Sequence, residues 1–189
     1  MTDNKGSQSV VAAAGIIGAF AFCVLWMIAV FADPSWTFGD NTISDLGISE
    51  SETAKVAITI GCIITGAVMA LFGIGKAWNG KSAIAAAGVF ICMAGIFLAL
   101  IGVFNKDVGD IHMFIACLFF ICATLGIVIG AIGDYKIGNS LFAATAGGLV
   151  VIAFASYFIL SCAGWEVISV ICILAWFVID CIKVGLGKC

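Results

Sequence analysis

Residues 82–104 read SAIAAAGVFICMAGIFLALIGVF, an apolar run without a charged side chain. A helix of roughly 20 apolar residues spans about 30 Å of hydrocarbon, so this run is long enough to cross a bilayer. Five more runs have the same character, and they cover residues 9–31, 53–75, 111–132, 140–161 and 166–184. The chain therefore contains six predicted membrane spans.

Composition supports the same class of protein. The 189 residues are 63% hydrophobic and 10% charged, which is more apolar surface than a soluble domain of this length can bury. The runs lack the alternating polar residues of barrel strands, so their backbone groups must be satisfied within helices. The sequence predicts an all-α integral membrane protein: one domain over residues 1–189, a six-transmembrane-helix bundle joined by short connections and one long outer loop, residues 32–52.

The distribution of lysines predicts the orientation, because cytoplasmic ends of spans retain positive charge. With the amino terminus inside, both termini are cytoplasmic in a multi-pass protein of the cell membrane. Six lysines then lie inside and two outside: Lys5, Lys76, Lys81, Lys136, Lys183 and Lys188 against Lys55 and Lys106. The outer face carries most of the acids, and the chain has no arginine, so nucleic acid is not an expected partner.

The positions of charged residues within the spans indicate whether the protein is a transporter. A coupled transporter or pump normally needs an ionisable group near the membrane centre, and none of the six spans has one there. Asp180 is near a cytoplasmic end and three residues before Lys183, which predicts an ordinary interfacial pair. These observations disfavour a channel or transporter.

Polar candidates gather at the outer ends of the third and fourth spans. His112 is the only histidine, and Asn105, Asp107 and Asp110 precede it. If the outer loop folds back, Asp40, Asn41, Ser44 and Asp45 join them. An imidazole, carboxylates and a hydroxyl at one interface suit general acid–base chemistry or a divalent cation; no cofactor is evident, and the identity of any metal stays open.

Structural roles compete with these chemical ones. Asp110 is placed to cap the fourth helix, and Ser49-x-x-Glu52 has the spacing of a capping box for the second. Ser44 and Asp45 could brace the loop through bonds to backbone amides, with Gly47 supplying a positive φ.

Two segments carry a resemblance to a known family. Ile43-Ser44-Asp45-Leu46-Gly47, taken with Gly102-Val103-Phe104-Asn105 and His112, resembles the prokaryotic membrane family catalogued as domain of unknown function 998, over nearly the whole chain. More distantly, the pattern is similar to six-span autophagy modulators of the DRAM type and to GPI-lipid remodelling factors, which have a related Ile-Ser-Asp segment. The resemblance implies a six-helix bundle whose signature residues meet on the outer side, and it implies no established activity. Proline is common in the family where this chain has Asn105.

Three classes of function fit the sequence. The first is a non-catalytic membrane protein whose outer site binds a lipid headgroup, a cation or a protein partner, including further subunits of a homo- or hetero-oligomer. The second is a lipid-modifying hydrolase or headgroup transferase, with His112 as general base, Asp45 orienting it or holding a metal, and Ser44 as nucleophile. The third is the disfavoured channel or transporter. Membrane lipids are the expected partners in the first two.

Overall fold

A computed structural model of the protein describes the backbone of residues 3–188 and the side chains of residues 8–188. Within these residues the secondary structure is helical, and it contains no strand. Six long helices, α1 to α6, cover Asp3–Ala32, Glu52–Asn79, Ala83–Val103, Asp110–Lys136, Ser140–Ile159 and Cys162–Gly185. Short 3-10 helices, Ile43–Ile48 and Lys106–Val108, lie in two of the connections. The Lys5 side chain, used above for orientation, lies outside the described residues.

All six helices are long and apolar enough to cross a membrane, which confirms the predicted six-span bundle. Their bounds differ most from the prediction at four ends, the first of which is the start of α1, at Asp3 rather than residue 9. Helix α6 begins at Cys162, four residues early, because the Ser161 hydroxyl caps it by accepting a hydrogen bond of 3.0 Å from the Gly164 amide. Helices α2 and α4 continue past residues 75 and 132, because their last turns carry charges that are paired inside the bundle.

Glycines set the closest helix contact, which joins α2 to α3. A Cβ added at Gly66 or Gly73 on α2 would fall on backbone atoms of α3, and one at Gly88 or Gly95 on α3 would fall on backbone atoms of α2. Small residues permit such close approach between helices in a membrane. The two helices therefore form a rigid pair.

The six helices close into a ring. Each packs against its neighbours in the chain, and α6 returns to α1. Across the interior, Phe72 of α2 meets Phe177 of α6 edge to face, with ring centroids 5.3 Å apart. Helix α5 lies at the periphery, and its buried residues are Ala146 and Ser156.

Four buried charges lie at the end of the bundle where α2, α4 and α6 finish, here called the terminus end. Lys76 Nζ is 2.5 Å from Asp180 Oδ2, and Lys183 Nζ is 2.6 Å from Asp180 Oδ1 and 2.7 Å from Asp134 Oδ2. All four residues are at most 5% exposed. The predicted Asp180–Lys183 pair forms, but it is not an isolated pair, because Lys76 and Asp134 join it within the bundle.

The opposite end, here called the loop end, carries residues 33–51. The 3-10 helix Ile43–Ile48 packs on α2 and α6 and on the connection between α3 and α4. Ile43 and Leu46 are its apolar anchors, with exposed fractions of 5% and 0%. Trp36 braces the segment by donating a hydrogen bond of 2.8 Å to the Thr42 carbonyl. The loop thus forms a folded cap over the helix ends.

Candidate functional site

Ser44 and His112 are in direct contact at the loop end. His112 lies in the first turn of α4 and is 4% exposed, and its Nε2 atom is 3.1 Å from the Ser44 hydroxyl. Its other ring nitrogen, Nδ1, is 2.8 Å from the Phe104 carbonyl oxygen. The folded cap and the α3–α4 turn together fix the imidazole at both nitrogens.

These partners define the hydrogen-bond roles of the neutral ring. A carbonyl oxygen can only accept a hydrogen bond, so Nδ1 carries the proton and donates a hydrogen bond to the Phe104 carbonyl. Nε2 is then the acceptor, and the Ser44 hydroxyl donates to it. This direction is the one in which a histidine acts as general base toward a serine.

Asp45 has partners other than His112. Its Oδ1 atom is 2.5 Å from Lys106 Nζ, and its Oδ2 atom accepts hydrogen bonds of 2.8 Å from both the amide and the hydroxyl of Thr42. The Thr42 hydroxyl in turn accepts from the Asp45 amide, which completes a capping box for the 3-10 helix. The Phe104 carbonyl, rather than Asp45, orients the imidazole.

The electrostatics of Asp45 follow from these contacts. Burial raises the pKa of Asp45, but the hydrogen bonds from Lys106 and Thr42 lower it by more, so this pKa lies below the usual range for aspartate. Asp45 is therefore ionised at neutral pH and serves as a brace.

The predicted capping box at Ser49-x-x-Glu52 was wrong: the helix α2 cap is Ser51, which accepts from the Ala54 amide.

Two further side chains hold the 3-10 helix on the bundle. Asn105 donates a hydrogen bond of 3.3 Å to the Gly47 carbonyl, and Glu166 of α6 accepts one of 3.3 Å from the Ser44 amide. Gly47 does not have the predicted positive φ. Its lack of a side chain leaves room for Asn105, whose Cβ would lie 3.5 Å from a Cβ at this position.

A cavity of about 70 Å³ lies beneath these residues. Its polar wall is at the loop end and includes Ser44, Asn105, His112 and Glu166, while apolar side chains line it toward the membrane centre, among them Phe22, Met69, Leu98, Phe119 and Phe177. The site is therefore amphipathic along the bundle axis.

The remaining predicted residues lie outside this cavity. Asn41 and Asp40 accept hydrogen bonds from Thr37 within the loop. Asp107 and Asp110 are exposed on the α3–α4 turn, and the residue that caps α4 is Gly109 rather than Asp110. The structure thus brings together Ser44, Asp45, Asn105 and His112 and leaves the other four at the surface.

The side chains that commonly bind divalent cations do not form a cluster in the described part of the chain. No group of three or more His, Cys, Asp or Glu side chains gathers there in a way that suits a metal. Lys106 also neutralises Asp45, the carboxylate within the 3-10 helix. Cation binding at the loop end stays a prediction.

A comparison with protein families assigns the chain. The family model described as "Protein of unknown function (DUF998)" matches residues 16–183. The chain belongs to the DUF998 family. No curated protein and no solved structure matches this DUF998 protein. Its two resemblance segments, which are distant in sequence, meet in space at the contacts of Ser44 with His112 and of Asn105 with Gly47.

Two residues of the DUF998 site were not predicted as site residues from the sequence. Glu166 begins the sixth predicted span, and Lys106 was used only to predict the orientation. Both occupy predicted outer ends of spans, where a charge is ordinary. Their partners, Ser44 and Asp45, are 122 and 61 residues away, so no local pattern identifies either contact.

Proposed function

We propose that the loop-end site binds the polar part of a membrane amphiphile. The observation that carries this proposal is the amphipathic cavity, with Ser44, Asn105, His112 and Glu166 at one end and apolar side chains below them. An amphiphile in the adjoining leaflet has the same order of groups, with a polar head above a hydrocarbon chain. Ligand sites in proteins commonly combine such apolar walls with a few polar groups.

The charge of the loop end indicates which heads it favours. Both of its lysines are already paired, Lys55 with Glu52 and Lys106 with Asp45. No described lysine forms an ion pair with the other acids of this end, which are Asp33, Asp40, Glu50, Asp107, Asp110 and Glu166. The resulting negative field attracts amine-bearing heads and repels purely anionic ones. The preferred ligand is therefore an amine-bearing amphiphile.

The volume of the cavity implies that its polar wall rearranges on binding. A cavity of about 150 Å³ binds benzene, and about 70 Å³ is less than half of that, which is too small for a complete headgroup. Two side-chain hydrogen bonds close the site from above, Ser44 to His112 and Asn105 to Gly47. Each contributes about 1 kcal/mol, so a ligand can replace both at modest cost while Ile43 and Leu46 keep the 3-10 helix anchored on the bundle.

Native mass spectrometry of the full chain with added lipids tests the proposal. Phosphatidylethanolamine should bind more tightly than phosphatidylglycerol. Ala116→Leu fills the cavity and should weaken phosphatidylethanolamine binding several-fold. Its matched control is Cys117→Leu, at an exposed position one residue further along α4.

The result that overturns the proposal is equal lipid binding by these two variants. The loop end offers a second comparison, between the variants His112→Asn and Ser35→Ala. His112 lines the cavity, whereas Ser35 is an exposed loop serine that bonds to Asp33. Only His112→Asn should weaken binding.

The proposal also places the loop end outside the cell, as the lysine distribution predicts. A membrane-impermeant maleimide can test this orientation at Cys162, which is exposed at the start of α6. In intact cells the wild type should be labelled and Cys162→Ser should not. Labelling of Cys162 only after the membrane is permeabilised would reverse the orientation.

A second candidate function is acyl transfer or hydrolysis, and the 3.1 Å contact between Ser44 and His112 favours it. His112 Nε2 would take the hydroxyl proton while Ser44 Oγ bonds to the carbonyl carbon of a lipid ester. The ester C–O bond would then break, and the proton would pass from His112 to the leaving alcohol. Water would release the acyl group from Ser44 by the same route.

One feature opposes this chemistry, because the Ser44 amide, a natural oxyanion donor, is already bonded to Glu166. A fluorophosphonate probe decides the matter. An acyl transferase or hydrolase should form an adduct at Ser44 that His112→Asn abolishes. An unmodified Ser44 in protein that still binds lipid would remove the catalytic candidate.

A further inference from the structure

A second cleft opens on the membrane-facing side of the bundle, between α4, α5 and α6. It has a volume of about 280 Å³, and its walls include Phe120 and Ile127 of α4, Val150 and Ala153 of α5, and Trp165 of α6. We call it the α5 groove. An apolar cavity of about 150 Å³ suffices to bind benzene, so the α5 groove accommodates a longer hydrocarbon segment.

One buried polar atom in the α5 groove lacks a partner. The Ser169 hydroxyl lines the groove, the residue is 3% exposed, and its Oγ atom has no hydrogen bond. Serines in spans usually bond to a carbonyl of their own helix, as Ser156 does to Ala153 at 2.8 Å. A buried hydroxyl without a partner is unfavourable, so an acceptor supplied by a ligand would stabilise this site.

The packing of α5 leaves the groove open along the helix. A Cβ added at Gly147 would meet nothing within 4 Å, in contrast to the α2–α3 glycines. Gly147 lines another cleft, of about 340 Å³, that shares Ile127 and Val150 with the α5 groove and continues toward the terminus end. The two clefts together follow α5 through the depth of the membrane.

The depth of Ser169 in the bundle matches the order of polar and apolar groups in a membrane lipid. Ser169 is seven residues into α6, which places it roughly 10 Å from the start of the helix at the loop end. The apolar walls at Ile127 and Val150 extend from there toward the terminus end. The polar atom therefore lies nearer the headgroup level, and the hydrocarbon surface lies below it.

We propose that the α5 groove binds one hydrocarbon chain of a membrane lipid, and that Ser169 donates a hydrogen bond to the oxygen linking this chain to its headgroup. Ester-linked acyl chains and ether-linked isoprenoid chains both provide that oxygen. The inference goes beyond the loop-end site, since it involves a different cavity, and it stands independently of what the loop end binds.

Photo-crosslinking of the full chain in liposomes tests this assignment. One sample contains a phosphatidylcholine with a diazirine within one acyl chain, and a parallel sample contains a diether lipid with a diazirine within one isoprenoid chain. Mass spectrometry of the digested protein should find the label concentrated on the groove walls around Ala153 and Ser169. The lipid with stronger labelling identifies the source of the chain.

Two positions on α5 give a matched comparison. Ala153→Phe fills the groove and should abolish its labelling, whereas Val151→Phe, at a position that is 66% exposed, should leave it intact. Ser169→Ala removes the proposed donor with almost no change in volume. It should lower groove labelling by roughly three- to tenfold, the change expected for one hydrogen bond.

Two results would overturn the proposal. The first is labelling spread evenly over the exposed faces of the helices and unchanged by Ala153→Phe and Ser169→Ala. The second is an unlabelled groove in a protein that native mass spectrometry shows to be a dimer, with the dimer lost in Ala153→Phe and retained in Val151→Phe. That second result would assign the groove to another copy of the chain.

Discussion

Lys76 on α2 and Asp180 on α6 are separated by 104 residues in the chain, yet their Nζ and Oδ2 atoms are 2.5 Å apart. Both side chains are almost completely buried, with exposed fractions of 1% and 2%. Lys183 and Asp134 complete the group, so two positive and two negative charges share one low-dielectric region. Such a group is stable only while every member keeps its partners.

Asp180→Leu should therefore destabilise the protein strongly. It leaves Lys76 buried without its carboxylate, and breaking a buried pair costs about 3–5 kcal/mol. Thermal unfolding in detergent or lipid measures the effect. The matched exposed pair is Glu52–Lys55, where Glu52→Ala should cost about 1 kcal/mol or less.

A double variant separates charge burial from packing. Lys76→Met with Asp180→Leu removes both charges, and Lys183 keeps both oxygens of Asp134, at 2.9 Å and 2.7 Å. The double variant should be more stable than Asp180→Leu alone. If the loss of stability in the double variant equals the sum of the losses in Lys76→Met and Asp180→Leu, the two side chains do not form a buried ion pair.

Asp45 should make the stability of the loop end depend on pH. Its pKa is lower in the folded protein than in the unfolded chain, so its contribution is fully present above about pH 4, the ordinary aspartate value. The contribution is lost as the pH falls below that value and through the folded pKa. The difference in melting temperature between wild type and Asp45→Asn should be largest near neutral pH and should vanish once the pH is well below the folded pKa. A constant difference across this range would contradict the assigned role.

His112 should have a single, fixed tautomer. The chain has one histidine, so labelling with ¹⁵N-histidine gives one pair of ring signals. The contacts predict a protonated Nδ1, bonded to Phe104, and an unprotonated Nε2 near Ser44. Ser44→Ala should shift the Nε2 signal and leave that of Nδ1 in place. An Nε2-protonated ring in the wild type would contradict this arrangement.

Gly73 and Gly147 should respond differently to the same substitution. A Cβ at Gly73 would fall on the backbone of Cys92, so Gly73→Ala must separate α2 from α3 and should cost about 1–3 kcal/mol or more. A Cβ at Gly147 meets nothing within 4 Å, so Gly147→Ala should change stability by about 0.5 kcal/mol or less. Equal losses would show that α5 packs more tightly than the structure indicates.

The six spans could be predicted because a bilayer imposes one simple requirement, a sufficient length of apolar chain. The same reasoning failed at the terminus end. Lys76 and Asp134 lie in the last turns of their helices, where local sequence is equally compatible with solvated charges. Only the packing of α2, α4 and α6 shows that these side chains turn inward, where Lys76 meets Asp180 and Asp134 meets Lys183.

The loop-end site was predictable in part for a similar reason. Ser44 and His112 could be grouped because both lie at predicted outer ends and both belong to the family pattern. The partner of Asp45 could not be inferred, since His112 and Lys106 were equally near in the predicted topology. The family resemblance is confirmed by the match over residues 16–183. The more distant similarity to DRAM-type and GPI-lipid remodelling proteins stays a prediction, as do the catalytic roles of Ser44 and His112.

The Lys76–Asp180 pair also constrains the order in which the protein can be assembled during synthesis. Lys76 leaves the ribosome 104 residues before Asp180, which at about 5–20 residues per second is a delay of roughly 5–20 seconds. Throughout that delay a cationic side chain is incompatible with the hydrocarbon, so the end of α2 must stay near the headgroups. Insertion of the last helix supplies the carboxylate with which Lys76 pairs. The bundle therefore reaches its mature form only after nearly the whole chain has been translated.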